Sequence, residues 1–201
     1  MNSVYSPILE LNLLREFDDQ FGTHSYADGF ELLDYDDKNE LKGWLDDPKN
    51  PSRAEFFDQL IPFARATGSG SGYALWRFDD RADLADLPVV FLGDEGDVWV
   101  HARNLRELLR LLPVERDVAY EDEDLDELFP ARQEYLMWLD RNFGLTPPDE
   151  DEEVAIGKAA MCAFGPRFAT WLARFTNEGV IDDMVKLMDW GPDSLVSARS
   201  R

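Results

Sequence analysis

The stretch from residue 60 to residue 112 constrains the fold more than any other part of the chain, because strand, turn and helix patterns follow one another within it. Residues 73–78 and Val98–Ala102 alternate between two faces, which is the period of a strand. Val89–Leu92 is an unbroken apolar run, short enough to be a buried strand. The loop over residues 93–97 has the length and the glycines of a hairpin turn. The stretch therefore predicts a β-meander.

A helix is predicted directly after the meander. Asn104 has the side chain of a helix N-cap, and Glu107 stands at the capping-box position. Four leucines then recur on one helical face: Leu105, Leu108, Leu109 and Leu112. Pro113 ends the helix, because proline lacks the amide hydrogen and clashes with the preceding turn. The meander therefore leads into a helix whose leucine face packs on the core.

Several short motifs of this stretch occur in the same order in a known family. They are Pro62-Phe63-Ala64, the Gly70/Gly72 turn, Tyr73-Ala74-Leu75-Trp76, Pro88-Val89-Val90, the loop over residues 93–96 and the helix over residues 104–112. Together they resemble the central part of the SUKH superfamily of bacterial immunity proteins and eukaryotic regulatory proteins, over about a quarter of the chain. The resemblance implies a mixed α+β fold. It also implies binding to another protein, commonly a toxin that the cell must neutralise.

The length and composition favour a single folded domain. A chain of 201 residues with 44% hydrophobic residues can bury one sizeable core. The predicted fold class is α+β, with a mostly antiparallel sheet flanked by helices and a helical C-terminal third. We expect one SUKH-like domain over residues 1–201, with a sheet-containing part over 1–113, a helical part over 114–193 and a frayed tail over 194–201.

Prolines and glycines mark the predicted ends of the N-terminal elements. Ser6 is predicted to cap the first helix, with Pro7 as its first residue. Asp28-Gly29 is predicted to turn into a strand over residues 30–35. Pro62 is predicted to end the helix that precedes the meander.

The C-terminal third is predicted to be helical. Gly165-Pro166 is expected to divide it into helices over residues 154–164 and 166–175. Cys162 lies in an apolar run, so we expect a buried structural thiol rather than a nucleophile. As the single cysteine it excludes an intrachain disulfide, which fits a reducing cytoplasm.

The chain is strongly acidic, with 42 acidic and 20 basic residues and a net charge of −22. Such a field repels nucleic acid and anionic lipid and attracts cationic partners. An acidic surface also keeps many cytosolic proteins soluble, so the charge alone leaves both interpretations open. The sequence shows neither a secretion signal nor a run of about 18 apolar residues, so we expect a cytoplasmic protein that does not bind membranes.

The sequence lacks the residue patterns of a metal site or an active site. His24 and His101 lie far apart, and His101 is predicted to be a surface or half-buried residue rather than a ligand. Ser69 and Ser71 lie between glycines, but their turn leads into a strand, whereas a nucleophile elbow leads into a helix. Adjacent carboxylates are expected by chance among 42 acidic residues. We therefore expect no metal, no cofactor and no enzymatic activity.

Acidic residues around the meander are the predicted contact with a basic protein. They are Asp79, Asp80, Asp94, Glu95 and Asp97, and we expect them to form part of one binding face. Trp44 and Trp99 are the predicted aromatic anchors, since each lies among polar neighbours. A core position is the alternative for both tryptophans.

The predicted function is that of an immunity protein, which neutralises a basic, nuclease-type bacterial toxin by direct stoichiometric binding. One alternative is a regulatory or scaffold module of the same fold whose partner is not a toxin. A second is a hydrolase that works through two carboxylates, which would require a deep pocket in which they converge. The sequence leaves the oligomeric state and the identity of the partner open.

Overall fold

The computed structural model describes residues 4–44, 53–80, 83–115 and 123–176, together with Val180 and Met184. In chain order its main elements are α1 (Leu9–Phe21), β1 (Glu31–Leu32), α2 (Arg53–Gln59), β2 (Leu60–Arg65), β3 (Gly72–Trp76), β4 (Val89–Leu92), β5 (Val98–Ala102), α3 (Leu105–Leu111), α4 (Leu125–Leu128), α5 (Arg132–Phe143) and α6 (Glu150–Leu172). Short 3₁₀ helices lie at Lys38–Trp44 and Leu84–Asp86. The chain is therefore α+β, as predicted. The predicted tail over 194–201 lies outside the described residues.

The described strands form one antiparallel sheet in the order β1-β2-β3-β4-β5. Each strand pairs with the next along the chain, so the predicted meander is confirmed. The strands at Val89–Leu92 and Val98–Ala102 have the predicted bounds, and the strand predicted over 73–78 forms at Gly72–Trp76. The strand predicted over 30–35 contains only two residues, because β1 pairs with just the last part of β2.

The sequence predicts that Pro62 ends a helix, and this prediction is wrong. The helix α2 ends at Gln59, and Pro62 lies inside β2 at a shift of register against β3. A proline is tolerated there because a bulge does not require its missing amide hydrogen. Its carbonyl accepts a hydrogen bond from the backbone amide of Asp36 at 2.9 Å.

The two helix starts predicted from capping residues have different outcomes. The Asn104 side chain accepts from the Glu107 amide at 2.9 Å, which confirms the cap of α3, and Glu107 in turn accepts from the Arg103 amide. The first helix begins at Leu9, and Ser6 is not its N-cap. Ser6 instead accepts from the Ile8 amide and contacts the Asn12 side chain, so it orders the residues that lead into α1.

The C-terminal helices complete the same core as the sheet. Phe168 of α6 packs edge-on against Trp76, with ring centroids 5.0 Å apart. Met161 accepts a hydrogen bond from the amide of Val100 at 3.2 Å, so α6 also covers part of edge strand β5. One continuous cluster of buried side chains joins these helices to the sheet. The helical third is therefore part of the folded unit.

The helix α6 is continuous, whereas a break at Gly165-Pro166 was predicted. Pro166 lies inside a helix of 23 residues, and the side chains beyond it, including Phe168 and Trp171, are buried in the core. That packing offsets the loss of one helical hydrogen bond at proline. The prediction of a buried Cys162 is also wrong: the thiol is exposed, because the buried stripe runs through neighbouring Met161.

Candidate protein-binding surfaces

The five acidic residues predicted to form one face lie at two opposite ends of the sheet. Asp94, Glu95 and Asp97 are in the β4–β5 turn, beside the β2–β3 turn. Asp79 and Asp80 follow β3 at its other end. The five residues of β3, at about 3.3 Å each, place the two groups roughly 16 Å apart. The structure therefore corrects the single face to two separate groups.

Asp94 connects two turns of the sheet. The hydroxyl of Ser71 donates to its carboxylate at 2.8 Å, and the Asp94 amide donates back to the same hydroxyl at 3.2 Å. Ser69 donates to the same carboxylate oxygen at 3.2 Å. This carboxylate therefore has a structural role, although Asp94 is exposed, as is its neighbour Glu95. The prediction that the glycine-rich segment is a turn leading into a strand is confirmed.

The acidic residues after β3 are differently placed. Asp80 is exposed and forms an ion pair with Arg77, with 3.0 Å between Nε and Oδ1. Asp79 is half-buried. An exposed pair of this kind contributes at most about 1 kcal/mol to stability.

The two predicted aromatic anchors are placed differently. Trp99 is 1% exposed and stacks on Phe91, with ring centroids 4.0 Å apart, so the alternative of a core position holds for it. Burial removes Trp99 from any accessible surface. Trp44 ends the 3₁₀ helix at Lys38–Trp44, and its side chain lies outside the described residues.

His101 is buried at the centre of a polar cluster, whereas a surface or half-buried position was predicted. The indole N–H of Trp99 donates to its Nδ1 at 3.2 Å, which places the proton of a neutral ring on Nε2. That nitrogen lies 3.1 Å from a carboxylate oxygen of Glu115 and 3.4 Å from the hydroxyl of Tyr73. The cluster fixes the orientation of Trp99 in the core.

A groove between α1 and α5 is a candidate surface that the sequence analysis did not identify. Its volume is about 710 Å³, and it is lined by Leu13, Glu16, Phe17, Gln20, Phe21, Glu134, Met137, Trp138, Arg141 and Asn142. Phe21 is 37% exposed and Met137 is 63% exposed, which is unusual for such large apolar side chains. The sequence does contain a signal, since residues 135–139 are five consecutive apolar residues. A helix with one buried face cannot hide all five.

A buried carboxylate lies close to this groove on α1. Asp18 follows the groove residue Phe17 in the chain and is 6% exposed. Its Oδ1 accepts a hydrogen bond from the hydroxyl of Tyr26 at 2.8 Å, whereas its Oδ2 has no hydrogen-bond partner. Burial raises the pKa of Asp18 from 3.8 to about 6, against the opposing effects of the Tyr26 hydrogen bond and of Arg15. The folded protein therefore binds this proton more tightly than the unfolded chain.

We expect Asp18 to make the protein more stable as the pH falls from 7.5 to 5.5. Because its folded pKa is raised, its favourable contribution is complete below pH 3.8 and is lost as the pH rises through about 6. Over the tested interval the contribution is about 1 kcal/mol. Chemical denaturation of wild type and Asp18→Asn at both pH values measures it, and exposed Asp140→Asn is the control. If wild type and Asp18→Asn differed in free energy of unfolding by the same amount at both pH values, the raised pKa of Asp18 would be contradicted.

The described residues also bear on metal binding and on membrane insertion. In that part of the chain, no group of three or more histidine, cysteine, aspartate or glutamate side chains could hold a metal ion. None of the helices described combines the length and apolar character needed to cross a membrane. Comparison of the chain with protein-family models, with curated proteins and with solved structures found no match.

Proposed function

We propose that this protein is an acidic protein-binding module and that it acts as an immunity protein, neutralising a basic toxin by stoichiometric binding. In this proposal the partner is a protein whose positive surface serves another purpose, such as the grip of a nuclease on phosphate. Binding by this module occludes that surface without turnover and without a cofactor. The proposed location is the cytoplasm, where such a toxin would act.

The observation that carries the proposal is the excess of carboxylates. If all 20 basic residues were paired with acidic ones, 42 − 20 = 22 carboxylates would still lack a basic partner within the chain. Most acidic residues of a folded protein lie at its surface, so this excess produces a negative potential around the molecule. A negative potential accelerates association with a cationic protein and repels nucleic acid and other acidic proteins.

The resemblance to the SUKH superfamily is the second support. The meander and the capped helix after it are the part of the chain that carries the resemblance, and they have the α+β arrangement that it implies. The same resemblance supports a regulatory module with a non-toxin partner, which is the second candidate. A toxin gene next to the gene for this protein would favour immunity, and its absence would favour regulation.

The groove between α1 and α5 supports docking better than it supports hydrolysis. Glu16 is exposed and Glu134 is half-buried, so neither lies in the deep, enclosed pocket that hydrolysis through two carboxylates would require. The large apolar side chains on the walls are instead of the kinds that occur at the centres of protein interfaces.

The test is capture of the partner followed by an activity assay. The tagged protein is used to isolate partners from the cells that express it, and the partner is identified and purified. We expect a basic protein that binds in a fixed ratio and loses its activity when bound. Recovery of only acidic or neutral partners would contradict the proposal. A basic partner whose activity is unaffected would favour the regulatory candidate.

Charge reversal should then identify which end of the sheet faces the partner. We expect either Glu95→Lys or Asp80→Lys to lower the association rate constant several-fold at low salt, and the other to change it little, because the two groups lie at opposite ends. Stopped-flow measurements at several salt concentrations give the rates. Equal, small effects of both variants would exclude both groups from the contact.

A further inference from the structure

The groove between α1 and α5 has the shape and the side chains of a site for a third helix. Phe17 stacks on Phe21 with ring centroids 4.5 Å apart and lies 5.7 Å from Trp138, so two buried rings support the exposed ring of Phe21 in the groove. Met137 projects from the opposite wall and is 63% exposed. Aromatic anchors beside an adaptable methionine are typical of surfaces that bind an apolar helical face.

The backbone around the groove also favours a helix as its occupant. Both walls are α-helices, and the amides and carbonyls along a helix are already paired within it. An extended peptide would therefore find no strand edge there with which to pair. A helix needs no backbone partner and can place its side chains between the ridges of α1 and α5.

The charges at the groove indicate what kind of helix fits. Glu16 lies on the wall formed by α1 and Glu134 on the wall formed by α5, with Arg141 as the basic residue among those lining the groove. A helix with lysine or arginine on both sides of its apolar stripe would meet a carboxylate on each wall. A second copy of this chain also carries a net charge of −22, so association between copies is opposed by repulsion.

We propose that the groove between α1 and α5 binds a cationic amphipathic helix of the partner protein. This inference rests on the proposed function, since it assigns the surface by which the basic partner is held. Apolar contacts with the exposed side chains of Phe21 and Met137 provide the affinity, while Glu16 and Glu134 set the preference for a basic helix.

The chain offers a closely matched pair of variants for the test. Met137 and Leu9 are both 63% exposed on helices, but only Met137 lines the groove. The probe is a synthetic 18-residue peptide of leucine and lysine with its leucines at helical spacing, and the comparison peptide has the same composition in scrambled order. Fluorescence anisotropy of the labelled peptides gives the affinities of the full-length protein and of its Met137→Glu and Leu9→Glu variants.

We expect Met137→Glu to weaken binding of the amphipathic peptide at least 10-fold and Leu9→Glu to change it less than 2-fold. Glu16→Lys combined with Glu134→Lys should also weaken it, and circular dichroism should show that all variants are folded. Equal binding of the scrambled peptide, or equal effects of the Met137 and Leu9 variants, would overturn the inference. A dimer in light scattering that Met137→Glu abolishes would overturn it in favour of a second copy.

The purified partner separates this inference from the proposed function. If a basic partner binds wild type and Met137→Glu equally well, the groove is not its site, and the proposed function is unaffected. If the peptide binds at the groove but only acidic or neutral partners are recovered from cells, the preference of the groove for a cationic helix is supported, and the proposed function fails.

Discussion

Replacement of Trp99 by alanine is expected to lower the free energy of unfolding by about 3–5 kcal/mol. The side chain is 1% exposed, stacks on Phe91 and donates its indole N–H to His101. Alanine would remove the stacked ring, leave a cavity in the sheet core and deprive the buried imidazole of a donor. Equilibrium denaturation in urea, followed by far-ultraviolet circular dichroism, measures the loss.

Two further variants show why this loss arises. Trp99→Phe keeps a ring against Phe91 but removes the N–H donor. It should therefore lower the free energy of unfolding by a smaller amount, about 1–3 kcal/mol. Met137→Ala removes an exposed side chain and should change the stability by less than about 0.5 kcal/mol. A Trp99→Ala variant with wild-type stability and weakened partner binding would contradict the core assignment and restore Trp99 as an anchor.

The meander was predictable because its signals are local. The strands at Val89–Leu92 and Val98–Ala102 follow from short apolar runs between glycine-rich turns, and Asn104 caps its own helix. The errors occur where tertiary packing overrides a local rule. Pro62 is tolerated in a strand because of a shift of register, and Pro166 in a helix because the residues beyond it pack on the sheet. Neither compensation can be inferred from the residues next to the proline.

The candidate surfaces were less predictable than the fold. Sequence order places all the acidic residues of the meander close together, but the alternating direction of antiparallel strands sends successive turns to opposite ends. The groove depends on α1 and α5, which are far apart in the sequence and meet only through contacts such as that of Phe17 with Tyr135. The five consecutive apolar residues at 135–139 indicated an exposed apolar patch on α5 without indicating what lies opposite.

A second large loss of stability is expected for Gly29→Ala, of about 2–4 kcal/mol. Gly29 has a φ of +62°, and an added Cβ would lie 2.7 Å from Cα of Thr67 and 2.8 Å from the amide nitrogen of Gly68. Both atoms belong to the backbone of the β2–β3 turn, so no side-chain rotation can relieve the overlap. The left-handed conformation itself costs alanine about 1–2 kcal/mol, and the remainder is the displacement of this turn.

Gly144→Ala is the matched control for Gly29→Ala, because its φ of +64° is almost the same and an added Cβ would have no neighbour within 4 Å. Its free energy of unfolding should fall only by the cost of the left-handed conformation, about 1–2 kcal/mol. The difference between the two variants, measured by urea denaturation, isolates the contact of Gly29 with the turn. Because Ser71 at the end of this turn binds Asp94, Gly29→Ala should also displace the acidic β4–β5 turn. Equal losses of stability in the two variants would show that the turn yields freely and that Gly29 is required only for its backbone conformation.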